Sequence, residues 1–235
     1  LCFSTWCQRI VTPFIVEGNS SPQEANQSMV GVATRLLTEI QPGTNRYDVQ
    51  YDVNLAALPP ELVGWMVKGI SVGFLALLAY FCRSKNPDRR SATYLGEFSL
   101  VVLAMLFLSE RSWKHHFVTL VFPFTFLMAE AFSPRTSPKQ RRLIAASLLG
   151  SFLLMASTSS EFGGLFAGGK GHEIAQGYGM FLWAAVLLFA AVAWRLKVGG
   201  EGLAAEPEVL ETQAAAVSVP TRPKFAATHR NLASK

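Results

Sequence analysis

The chain has 235 residues, of which 50% are hydrophobic and 16% charged, with a net charge of +5. Soluble domains carry about 25% charged residues, so this deficit and a positive mean hydropathy argue against a soluble globular protein and for a bilayer. Three scattered cysteines, Cys2, Cys7 and Cys82, exclude a disulfide framework and a cysteine-based zinc site.

The opening stretch LCFSTWCQRIVTPFIV reads as the end of an earlier span, broken or kinked at Pro13. It carries neither an initiator Met nor a signal peptide, so the chain is expected to be the carboxy-terminal part of a longer protein. EGNSSPQE has loop chemistry. ANQSMVGVATRLLTEI predicts a short amphipathic helix, with Met29, Val32, Leu36 and Leu37 on one face and Asn26 suited to cap it. QPGTNRYDVQYD is a further loop, and Pro59 and Pro60 lead into the first clear apolar run.

Spanning a hydrocarbon core of about 30 Å takes about 20 apolar residues, or about 17 with thinning of the bilayer. Five runs qualify: 62–82, 91–109, 117–132, 143–160 and 176–196. The middle three are short and flanked by polar residues, which suits a packed bundle better than lone anchors. The expected fold is therefore all-α, a polytopic helical membrane bundle with about five spans. Its organisation is an extracytoplasmic segment over 1–61, the bundle over 62–197 and a disordered cytoplasmic tail over 198–235.

The loops carry unequal charge. RSKNPDRR and SPRTSPKQRR hold four Lys or Arg each, and Arg195 and Lys197 follow the last run. With five spans these segments share one side, which the positive-inside rule assigns to the cytoplasm. ERSWKHH and STSSEFGGLFAGGKGHEIAQ then face outward. The expected location is the inner (plasma) membrane, multi-pass, with the functional site on the extracytoplasmic side.

The most informative stretch is SERSWKHHFVTLVFPF, which sets Glu110, Arg111, Lys114, His115 and His116 at the mouth of an apolar run. A helix predicted from Phe117 offers unpaired N–H groups and the positive end of its dipole to that surface. N–H groups and cations together suit an anion, here a lipid phosphate or pyrophosphate. Trp113 matches the interfacial depth or a sugar face, and anchoring alone also accounts for Arg111 and Trp113. Adjacent histidines lack the i, i+4 spacing of a helical zinc site, so no metal is expected. The second polar cluster is Asn26, Gln27 and Ser28, with Arg35 two turns beyond Ser28 on the same face. Asn26 and Asn19 also head glycosylation sequons. Lys68, Glu97 and Glu130 lie in or near spans, where ionisable groups are functional candidates; Lys68 and Glu97 can also snorkel or pair.

These residues resemble a family. SERSWKHHFVTLVFPF is similar to the Ser-x-x-Ser-Trp-x-His-His signature of glycosyltransferase family 87, the polyprenol-phosphate-mannose-dependent alpha-1,2-mannosyltransferase-like proteins of GT-C type. ANQSMVGVATRLL resembles the Asn-Gln-Ser motif that precedes it there, with Arg35 at the same distance. The likeness covers residues 6–132, and Lys114 departs from it. It implies a membrane enzyme that moves a sugar, mannose by family, from a polyprenyl-phosphate carrier to an extracytoplasmic glycolipid or glycan acceptor with inversion. It implies a substrate site lined by Arg111, Ser112, Trp113, Lys114, His115 and His116, with Asn26, Gln27, Ser28 and Arg35 nearby. The general base would be a carboxylate upstream of this chain, no cofactor is implied, and the partners are lipid and glycan, not nucleic acid. The alternative from the residues alone is a transporter or flippase for an anionic or lipid-linked substrate.

Overall fold

The computed structural model describes residues 4, 5, 7, 8, 12, 23–39, 52–83 and 91–203, the last five of these as backbone. Among the described residues every regular element longer than three residues is helical. The α-helices are α1 Met29–Leu37, α2 Pro60–Phe81, α3 Ala92–Leu108, α4 Val121–Phe132, α5 Pro138–Ala156, α6 Ser160–Gly163, α7 Gly171–Gly177 and α8 Met180–Leu203. A 3-10 segment, Lys114–Leu120, runs straight into α4, and a second, Ala167–Gly169, precedes α7.

Serine hydroxyls set the helix starts. Ser28, Ser91, Ser137 and Ser159 cap α1, α3, α5 and α6, each accepting a backbone N–H from the first turn. Pro60 and Pro138 open α2 and α5, where a missing N–H costs nothing. These caps correct several expected boundaries. α5 starts at Pro138, five residues before the apolar run, because Ser137 and Gln140 form a capping box there. The helix expected from Phe117 starts at Lys114. α8 starts at Met180, and α7 is a separate element because Gly179 turns the chain at φ 76°. α8 also continues to Leu203, so 198–203, expected to be disordered, are helical. The expected disorder over 204–235, the loops over 40–51 and 84–90, and most of the earlier span end lie outside the described residues.

Three helical stretches are long and apolar enough to cross a membrane: Pro60–Phe81, Lys114–Phe132 and Met180–Val198. α3 has 17 residues, about 25 Å at 1.5 Å per residue. α5 has 19, but Lys139, Arg141 and Arg142 occupy its first turns, so less of it suits hydrocarbon.

α8 is the centre of the compact unit that ends at Lys197. Its Ala184, Ala185, Leu188 and Val192 are fully buried, as are Leu100 and Leu103 of α3, Leu127 of α4 and Ile144 of α5. Small residues let α5 approach closely enough for the Ser151 hydroxyl to donate to the Ala184 carbonyl at 3.2 Å. Phe74 of α2 meets Phe107 of α3 at 4.7 Å and Phe189 of α8 at 5.2 Å. α2 lies at the edge: Val63 alone of its residues is buried, while Trp65, Ile70, Val72 and Leu75 are exposed. Val118, Val121 and Phe132, and Leu149 and Phe152, are exposed in the same way. Apolar surface this extensive suits hydrocarbon and would drive aggregation in water.

The bundle has two distinct ends. At one, Arg195 of α8 pairs with Glu130 of α4 at 2.5 Å and reaches the Thr136 hydroxyl at 3.4 Å. At the other lie α1, residues 109–113 and residues 157–179. Trp113 and Trp183 stand at this end, with Trp65 in the second turn of α2.

Candidate functional site

The site is built on the start of α1. Asn26, expected to cap the helix, lies two residues before the cap and works across the chain instead. Its Oδ1 accepts from Ser28 N–H at 3.2 Å and from Ser112 N–H at 3.1 Å, and its Nδ2 donates to the Glu110 carbonyl at 3.2 Å. Ser28 is the cap: its Oγ accepts from Gly31 N–H at 3.1 Å and donates to the same Glu110 carbonyl at 3.0 Å. Gln27 N–H donates to the Ser112 carbonyl at 2.7 Å. The two polar motifs, more than 80 residues apart in sequence, are thus joined backbone to side chain. Gly31 is needed here, since a Cβ at that position would stand 2.5 Å from Asn26 Nδ2. A buried Asn26 with both amide atoms engaged is no glycan acceptor in the folded chain.

Arg35 fastens this frame to α7. It is 1% exposed and its donors go to main-chain carbonyls: Nε to Gly177 at 3.0 Å, Nη1 to Gln23 at 2.6 Å and Asn26 at 2.8 Å, and Nη2 to Gln176 at 3.3 Å. Carbonyls at a helix end have no partner within the helix, and a planar guanidinium supplies several donors at once. Burial pushes the Arg35 pKa down to about 10, against the opposing pull of Glu24, and it remains charged at neutral pH. Gln27 Nε2 also donates to the Gln176 carbonyl, at 2.8 Å.

The exposed part of the site is the loop held by this frame. Ser112 is buried, and its hydroxyl donates to the Leu106 carbonyl near the end of α3 at 2.9 Å. Trp113, Lys114, His115 and His116 are all exposed. Trp113 N–H donates to His116 Nδ1 at 3.2 Å, and His116 N–H returns to the Trp113 carbonyl at 2.8 Å. His116 therefore takes the place that Glu or Gln holds in a capping box. With Nδ1 accepting, the neutral ring carries its proton on Nε2. The His115 ring stands 4.3 Å from His116 at a steep angle and 6.1 Å from Trp113. Lys114 Nζ donates to the Thr158 carbonyl at 3.0 Å. Burial raises the Glu110 carboxyl above its ordinary value, with the Arg111 charge pulling it back.

All ten expected site residues therefore gather at one end of the bundle, in two layers. Asn26, Gln27, Ser28, Arg35 and Ser112 form a buried support whose donors engage the main chain, while the buried Gln27 Oε1 has no hydrogen-bond partner. Arg111 is half-buried, and Trp113, Lys114, His115 and His116 form the rim. The other ionisable candidates lie elsewhere: Lys68 sits 4.9 Å over the Trp65 ring, Glu130 is paired with Arg195, and the Glu97 carbonyl accepts from Cys82. Among the described residues no group of His, Cys, Asp and Glu could hold a metal ion.

Sequence reasoning missed the contribution of residues 158 and 176–177, which act through carbonyls and leave no side-chain signature. It also missed an apolar groove of about 570 Å³ between α5 and α7. Gly150, Leu153, Leu154 and Ser157 line one wall, and Gly171, Ile174, Ala175 and Tyr178 the other. Both sets have i, i+3, i+4, i+7 spacing, the pattern of one helix face.

No protein-family model, no curated protein and no solved structure matches this chain.

Proposed function

We propose that the protein is an integral membrane glycosyltransferase that moves a sugar, mannose by its resemblance, from a polyprenyl-phosphate carrier to an extracytoplasmic acceptor with inversion. The acceptor oxygen attacks the anomeric carbon, and the bond from that carbon to the phosphate oxygen breaks. Its electron pair stays with the phosphate, and the acceptor proton goes to a general-base carboxylate. The observation that carries the reading is the Asn26 carboxamide, bonded at once to the Glu110 carbonyl and the Ser112 amide. The resemblance requires those two motifs to share one site, and here they hold a cationic, aromatic loop toward the surface.

On this reading Lys114 and the Nε2–H of His116 meet the departing phosphate, where donors fixed in advance stabilise developing charge. Trp113 offers its face to the sugar. Five spans are proposed, with α3 and α5 completing the three longer ones in a locally thin bilayer. Residues 1–61 and the rim then face the extracytoplasmic side, and the tail from 198 faces the cytoplasm.

The test is sugar transfer from a polyprenyl-phosphate donor by the intact gene product in vesicles. His115→Ala or His116→Ala should lower the rate at least tenfold. His116→Gln should retain the loop, because a glutamine oxygen can accept the Trp113 N–H, yet show slower transfer. Wild-type rates in both alanine variants remove the assignment.

A further inference from the structure

Residues 162–169, FGGLFAGG, run from the last two residues of α6 to two residues before α7, at the same end as the rim. They carry no charge, whereas Glu161 and Lys170 bracket them. Leu165 is 77% exposed, Phe166 59% and Phe162 42%, with the two phenyl rings 6.0 Å apart. In water this would be an unprotected apolar patch.

The N–H groups of Phe162–Phe166 are paired within the segment's own turns, whereas those of Ala167 and Gly168 are not. Every N–H from Phe162 to Phe166 has an acceptor within residues 159–163, at 2.8 to 3.3 Å. Gly169 and Lys170 N–H groups donate to Phe166 and Ala167 carbonyls at 3.2 Å. In or near hydrocarbon each unpaired N–H costs several kcal/mol, so Phe162–Phe166 can go deeper than Ala167 and Gly168, whose amides stay toward water.

The placement points the same way. Lys114 ties to Thr158 and Trp183 Nε1 donates to the Tyr178 carbonyl at 3.0 Å, so tryptophans Trp113 and Trp183 flank the stretch that carries this segment. Tryptophan side chains mark the headgroup level.

We infer that residues 162–166 insert as an interfacial wedge into the headgroup–acyl boundary of the leaflet at the rim's end. The partner is lipid, reached by Phe162, Leu165 and Phe166, with Glu161 and Lys170 limiting depth from the water side. This rests on the chain being membrane-embedded and is independent of the sugar-transfer reading.

The test uses the full chain carrying Cys2→Ser, Cys7→Ser and Cys82→Ser, reconstituted in phosphatidylcholine–phosphatidylglycerol vesicles. Single cysteines at Leu165→Cys, Phe166→Cys, Glu161→Cys and Val72→Cys carry an environment-sensitive fluorophore. Spin-labelled lipid should quench the labels at 165 and 166 at least threefold more than aqueous iodide does, with the reverse at 161. Iodide access at 165 equal to that at 161 overturns the proposal. So does shielding of 165 from both quenchers, which assigns the patch to a second copy or another protein. Val72 of α2 separates the two levels: if lipid fails to quench it, the membrane reading itself falls; if lipid quenches it but not 165, only the wedge falls.

Discussion

Asn26 and Arg35 act at the scale of single atoms, and the strength of the site depends on how few alternatives those atoms have. Asn26→Ala strands the Ser112 N–H and removes three hydrogen bonds, an expected loss of about 2 to 3 kcal/mol in thermal unfolding in detergent. Asn26→Asp should also destabilise, because an oxygen replaces the donor facing the Glu110 carbonyl. An Asn26→Asp protein as stable as the parent would mean that this bond does not form. Glu110 yields a pH prediction. Its carboxyl is raised above 4.5 by burial, so the fold holds that proton more tightly than the unfolded chain does. Stability present below pH 4.5 is then lost as pH rises through the raised value. Glu110→Gln should be more stable than the parent at pH 7 and less favoured, or equal, at pH 4. A constant difference between the two pH values counts against this.

At the scale of elements, the helices are defined by their ends more than by their middles. Ser137, Pro138 and Gln140 start α5 in a charged stretch where hydropathy gives no signal. Gly179 stops α7 and starts α8: a Cβ there would lie 2.5 Å from Val32 Cγ2, so the turn and α1 constrain each other. The Glu130–Arg195 pair fixes the register of α4 against α8 at the end opposite the rim. Removing one member leaves a charge in a poorly hydrated place, so Arg195→Met is expected to cost about 3 to 5 kcal/mol. The double variant Glu130→Gln with Arg195→Met should recover most of that loss. Additive losses in the four-way unfolding cycle would show that the pair is not coupled.

For the whole molecule the governing fact is where the apolar side chains are. α8 is packed on many sides, whereas α2 presents almost its entire surface outward. Surrounding hydrocarbon makes both arrangements favourable in one protein, in keeping with three helical stretches apolar enough to cross a membrane. Orientation is testable with substituted cysteines in whole cells. Trp113→Cys and His116→Cys should react with a membrane-impermeant maleimide from outside, and Arg142→Cys only after permeabilisation. The opposite pattern inverts the proposed topology.

The sequence by itself determined the helical class, the three longest apolar stretches and the amphipathic α1 with Met29, Val32 and Leu36 inward, and it marked two polar motifs as candidates. Periodicity and composition are local, and local signals survive folding. The likeness to glycosyltransferase family 87 named the two motifs, but nothing local to either states that Asn26 reaches Ser112. Only the tertiary structure decided which of the ten residues support and which face outward, because a side chain's role depends on what its atoms meet across 80 or more residues. It also decided that His116 closes a helix start while His115 stands beside it, a distinction invisible in the repeated letters. The carbonyls of Thr158, Gln176 and Gly177 entered the same way: main-chain groups are identical in every residue, so geometry alone selects them.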